Sequence, residues 1–190
     1  MTTEALFIEA SPPLGVRIAQ VVGLTTAGFL AGQTTCYSLS VAPSLMDAPA
    51  PLLAKQFKKN YDFGKIAGPA MSLVSSLSFG YLAGKASPSS PQFKLYTVAA
   101  ILGPAIVPYT FAVMMKTNKK ILAKAAEAEK SAEAPATAEA STAEEENTHA
   151  LVDKWATMNL GRGVLTLASA ILGAWAAVSK LEIIALRDSS

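Results

Sequence analysis

The chain of 190 residues contains a single cysteine, Cys36, and a single histidine, His149. One cysteine excludes an internal disulfide and any structural zinc site built on cysteines. One histidine excludes a multi-histidine metal centre within one chain and disfavours the usual haem and mononuclear iron sites. Charge is also scarce. Asp, Glu, Lys and Arg make up 16% of the residues, where soluble domains average about 25%. The net charge of +2 is too small to point to a nucleic-acid partner. No Lys or Arg occurs before Leu14, so the start reads as a short tail and not as the basic region of a secretory signal.

What the chain does have is apolar length. Four runs stand out, at about residues 14–37, 64–84, 93–115 and 158–180. Each is close to the roughly 20 residues that cross a bilayer at about 1.5 Å per residue. Buried helices of a soluble bundle would keep a polar face toward water. The third run keeps almost none, so the spacing predicts an all-α integral membrane protein, a four-helix bundle in a single membrane domain, with the lipid bilayer as its surroundings. Pro104 and Pro108 each remove a backbone donor and predict a bend in the third helix. Three G-x-x-x-G pairs (Gly28/Gly32, Gly64/Gly68 and Gly80/Gly84) suggest close helix contacts.

Residues 123–148 differ in kind. They are rich in Ala, Glu, Thr, Ser and Pro and contain no aromatic residue. Such a stretch buries too little apolar surface to offset its ordering entropy, which predicts a disordered or loosely helical linker between the third and fourth spans. Lys and Arg number ten on the side of the first and third loops and five on the other, with Arg162 set aside as intramembrane. By the positive-inside rule, the two larger loops face the cytosol and both termini face outward or into a lumen.

Polar residues inside a span are costly and mark function by default. Trp155, Asn159, Arg162, Thr166 and Ser169 follow one another at steps of four, three, four and three, which places them on one helix face. Thr110 and Asn118 share a face of the third helix, with Tyr109 adjacent. Gln33 and Tyr37 close the first span, and Tyr61 and Asp62 precede the second. Four alternating spans bring all of these to one membrane face. The aromatics also suit an interfacial belt, Arg162 also suits snorkelling to lipid phosphates, and the asparagines also suit helix-to-helix hydrogen bonds. A guanidinium flanked by an amide and a hydroxyl suits a carbonyl, phenolate or enolate ligand.

Four stretches carry a family resemblance: GFLAGQTTCYSLSVAPSL from Gly28, QFKKNYDFG from Gln56, PYTFAVMMKTNKKIL from Pro108 and LVDKWATMNLGR from Leu151. In order and spacing they resemble the anthrone oxygenase-like family of small membrane proteins, found in fungal polyketide gene clusters and in bacteria. Phe57 stands where Trp is expected, Tyr109 where Phe is common, and Asn159 where His is often found. A histidine at that last position could act as a base, and an asparagine cannot.

The resemblance implies oxidation of an anthrone to an anthraquinone by dioxygen, with no metal, flavin or other cofactor, in the endoplasmic reticulum or another endomembrane of a fungus. It assigns Arg162 as the stabiliser of an anionic intermediate and Asn159 and Asn118 as ligands of substrate oxygens. Asp62 is the default base, with Tyr109 or Tyr61 in reserve, and Trp155 stacks on the rings. Thr110, Gln33 and Thr166 complete the expected substrate contacts. Two other classes share the same polar cluster. One is a ligand carrier or transporter, which with four spans would call for a homo-oligomer. The other is an assembly protein whose polar stripe only joins helices.

Overall fold

The computed structural model describes the backbone of residues 12–131 and 142–187, and the side chains of residues 12–130 and 147–179. The described chain is helical throughout. Helix α1 (Leu14–Cys36) runs through a π-helical turn (Tyr37–Val41) into the short α2 (Ala42–Leu45). Helix α3 spans Ala50–Lys85. Helices α4 (Pro91–Leu102) and α5 (Ile106–Tyr109), a second π turn (Thr110–Met114) and α6 (Met115–Ser131) follow, and α7 spans Thr142–Arg187.

Helix α1 packs on α3 and α7, α4 packs on the same two, and α3 also touches α7 directly. The four long elements thus form a square with α3 and α7 across its shorter diagonal. Four helical stretches are long and apolar enough to cross a membrane: Leu14–Leu45, Ala50–Lys85, Pro91–Lys130 and Asn147–Ser179. The chain is a multi-pass membrane protein. Its exposed apolar side chains form a belt. Leu39, Phe63, Val113 and Leu160 mark one rim, and Leu14, Tyr81, Val98 and Val178 mark the other. Along α3 the belt runs from residue 63 to residue 81, about 27 Å of helix and close to the hydrocarbon thickness.

The helices outrun the predicted spans. Helix α3 begins fourteen residues before position 64, because its first half is amphipathic and not uniformly apolar. Leu53, Phe57 and Tyr61 recur every fourth residue and pack with Ala42, Ile121, Val152 and Ala156 into a second apolar cluster beyond the belt. The first cluster lies within it and joins Ala27, Phe79, Leu82, Tyr96, Ala99 and Ala176. Helix α6 persists to Ser131 and α7 resumes at Thr142. The linker expected over residues 123–148 is therefore helical at both ends, and its middle, residues 132–141, lies outside the described residues, as do residues 1–11 of the N-terminal tail.

The bend expected from Pro104 and Pro108 is present as the break between α4 and α5. Pro104 has no N–H to give to the Ala100 carbonyl. The Ser76 hydroxyl of α3 donates to that carbonyl instead, at 2.6 Å. Beside it, the Ser169 hydroxyl of α7 donates to the Ala99 carbonyl at 2.7 Å. Within a bilayer a freed carbonyl such as that of Ala100 needs a protein partner, and α3 supplies it; the Ala99 carbonyl also accepts from the Gly103 N–H at 3.4 Å.

The G-x-x-x-G expectation is corrected. A Cβ placed on Gly28, Gly32, Gly64, Gly80 or Gly84 would meet nothing within 4 Å. The close approaches are made elsewhere, at Gly23 and Gly173 against Phe79, and at Gly161 against Tyr109. Glycine spacing marks helices able to approach closely, but the large side chain opposite decides where they do.

Candidate active site

Between the two apolar clusters lies a cavity of about 200 Å³. That is smaller than the roughly 300 Å³ at which pockets for drug-sized ligands begin, so it suits a compact ligand. Both π turns border it, through Tyr37 and Val41 on one side and Thr110 and Phe111 on the other. A π turn is a local mismatch in the helix ladder that often sits at a functional site. One wall is aromatic. The Phe57 and Tyr61 rings stack with centroids 6.2 Å apart, and Trp155 meets Phe57 edge-on at 5.0 Å.

The opposite character comes from α7. Arg162 Nη1 donates to Asn159 Oδ1 at 3.1 Å. Asn159 is 1% exposed, and its Nδ2 donates to the Thr34 carbonyl and to Ser38 Oγ, both at 2.9 Å. The amide therefore ties α7 to α1 and holds the guanidinium on the cavity wall. Gly68 of α3 faces the fork from the other side, where a Cβ would lie 3.3 Å from Arg162 Nη2. Two buried atoms on this wall, Arg162 Nε and Asn118 Oδ1, have no hydrogen-bond partner among the described residues. They are a donor and an acceptor that a polar ligand could use. Thr110 Oγ1 donates to the Ile106 carbonyl at 2.7 Å, so toward the cavity its hydroxyl can only accept.

Seven of the ten residues singled out from sequence line this cavity: Arg162, Asn159, Trp155, Asn118, Thr110, Tyr61 and Gln33. Three do not. Asp62 faces outward with its side chain 40% exposed, and its oxygens accept from Lys65 at 2.7 Å and Lys58 at 3.2 Å. It lies on the solvent side of α3 because one residue along a helix turns about 100° away from Tyr61. Tyr109 donates its hydroxyl to the Met158 carbonyl at 2.9 Å and braces the third span on α7. Thr166 is buried one turn below Arg162 and donates back to the Arg162 and Gly163 carbonyls. The ionisable groups on the cavity wall are Arg162, Lys65, Tyr37 and Tyr61. His149 is not among them. Its Nε2 lies 3.1 Å from both the Met46 and Ala48 carbonyls and pins the α2–α3 turn to α7.

The anthrone oxygenase family model matches residues 57–172, which contain α7 down to the Arg162 wall and all of the aromatic wall. The chain belongs to the anthrone oxygenase family. An anthrone oxygenase of Claviceps purpurea is 34% identical over 164 residues, 85% of this chain and 87% of the relative. One of Aspergillus fumigatus is 32% identical over 174 residues, 87% and 95% of the two chains. A noranthrone monooxygenase of Aspergillus flavus is 27% identical over 157 residues, 81% and 70%. No solved structure matches the chain.

Several cavity residues of this anthrone oxygenase family member were not expected as site residues from sequence, among them Asn60, Lys65 and Gly68, the last read only as part of a glycine pair. The signal was available. Phe57, Tyr61, Gly64 and Gly68 fall at steps of four, three and four, and so trace one face of a helix that begins well before position 64. Ser38, which anchors Asn159, carried no such signal, because the π turn at Tyr37–Val41 shifts the helix phase.

Proposed function

We propose that this protein oxidises an anthrone to the corresponding anthraquinone with dioxygen in polyketide biosynthesis. The overall balance is one anthrone and one dioxygen giving one quinone and one water. Loss of a proton from the anthrone methylene gives an aromatic phenolate-type anion. The anion passes one electron to dioxygen, the radical pair recombines to a hydroperoxide at the same carbon, and loss of water leaves the second carbonyl.

The observation that carries this assignment is the Arg162 fork, held by Asn159 on the wall of an apolar cavity faced by Phe57, Tyr61 and Trp155. A preorganised guanidinium in a dry site stabilises an oxyanion far better than it would in water. The aromatic wall takes the flat rings. With Asp62 outside the cavity, Tyr61, which lines it, is the base we assign. Asn118 and Thr110 accept from substrate hydroxyls, and Gln33 completes the polar rim.

We infer that the reaction needs neither metal nor flavin. The substrate anion is itself the reductant, and the chain's one histidine is engaged with backbone carbonyls away from the cavity. The fungal relatives and the Lys/Arg asymmetry support an endomembrane such as the endoplasmic reticulum, with the loop-bearing face in the cytosol.

The test is direct. Purified protein in detergent is given a hydroxyanthrone under air, and quinone absorbance is followed against a no-protein control. Turnover above spontaneous oxidation, undiminished by chelator treatment, is the expected result. A carrier would instead bind the anthrone stoichiometrically without accelerating its oxidation.

A further inference from the structure

Taking an anthrone as the substrate, we propose that it reaches the cavity sideways out of the bilayer, through the face between α1 and α3, past Gln33, Tyr37 and Asn60. These three residues and Val41 line the inner cavity, and the same four line a shallow groove on the outside of the bundle. The groove is completed by Phe29, Gly32 and Cys36 of α1. Cavity and groove therefore share a wall one side chain thick.

Three observations make that wall a doorway. The outer side faces lipid, since Phe29 is 64% exposed and lies within the apolar belt, below the rim at Leu39. The groove floor is open at Gly32, where a Cβ would meet nothing within 4 Å. The wall itself is polar. No hydrogen bond from the Gln33, Tyr37 or Asn60 side chain occurs among the described residues, although unpaired polar groups at the edge of a bilayer are costly. A polycycle carrying keto and phenolic oxygens satisfies them as it passes. Away from the groove the cavity wall is buried by contrast, with Ile106 at 1% and Val152 at 0% exposure. A flat apolar substrate partitions into lipid, so a lateral doorway spares it a passage through water.

Cys36 is the only cysteine in the chain and it is exposed, which makes the native protein its own test. Modification with a bulky aromatic methanethiosulfonate should lower kcat/KM by about 10-fold or more, within the one to three decades over which association rates vary. It should leave kcat at saturation nearly unchanged. The methyl reagent should have little effect, and thiol reduction should restore the native rate, which separates obstruction from unfolding. Gly32→Trp should reproduce the bulky adduct. Complete labelling with unchanged kcat/KM would overturn the route. Binding of the matching anthraquinone, followed by quenching of tryptophan fluorescence, provides a readout independent of turnover. Slowed binding without turnover would uphold the doorway and refute the oxygenase assignment. Unchanged binding rates after bulky labelling would refute the doorway, and absence of any binding would refute both.

Discussion

In the proposed reaction Arg162 and Tyr61 divide the chemistry between them, and each can be removed without emptying the cavity of its neighbours. Arg162→Lys should lose nearly as much activity as Arg162→Ala, because an ammonium cannot reproduce a planar fork held at Asn159. Loss of a preorganised oxyanion donor typically costs about 100- to 1000-fold in kcat. The check is rate per folded molecule after size-exclusion chromatography, with exposed Arg17→Ala, which should be mild, as the control. Gly68→Ala should reach the same fork from outside. Its methyl group would lie 3.3 Å from Nη2, where a flexible tip can yield, so melting temperature should hold while kcat falls. If Gly68→Ala keeps full kcat, the guanidinium position is not critical. The Asn159–Arg162 pair was legible in the sequence because both lie on one face of a helix whose phase is unbroken. The outward position of Asp62 is legible only if the helical phase of α3 is carried back before position 64, since an acid adjacent to Tyr61 in sequence points away from it in space.

At the scale of the helix, the third span is interrupted after Leu102 and continues through a π turn. Ser76 meets the carbonyl freed by that break, and Ser169 meets the one beside it. Removal of either hydroxyl should cost about 1 kcal/mol, or roughly 2–4 °C in melting temperature for a chain of this size. Ser78 offers the comparison, because its hydroxyl bonds only within its own helix, to the Val74 carbonyl. Ser78→Ala should cost less than Ser76→Ala in the same thermal scan, and equal costs would mean the freed Ala100 carbonyl is satisfied in another way. Hydropathy located the four spans but not their ends. It registers lipid-facing residues such as Ile66, Leu73 and Leu77, whereas Leu53 and Phe57 lie on an amphipathic face whose other side is rich in lysine. The π turns were illegible for another reason: a single extra residue in a helix leaves no mark on composition.

The molecule as a whole is two apolar clusters joined by four helices, one cluster inside the lipid belt and one beyond it. Its topology is testable with single cysteines. In a Cys36→Ala background, cysteine at Ser141 and cysteine at Ser189 should label from opposite sides of sealed vesicles. Labelling of both from one side would rule out four spans. Deletion of residues 132–141, a run of small and acidic residues with no aromatic side chain, should leave activity nearly intact. The cavity occupies the seam between the clusters, so the protein is least filled where its halves meet. A ligand there serves as the missing part of a continuous interior, and its affinity is added to the stability of the fold. At a concentration 100 times its dissociation constant, a bound anthraquinone would add about 2.7 kcal/mol. Product should therefore protect this protein from heat and from detergent, and each turnover ends with the release of a molecule that had been holding the two halves together.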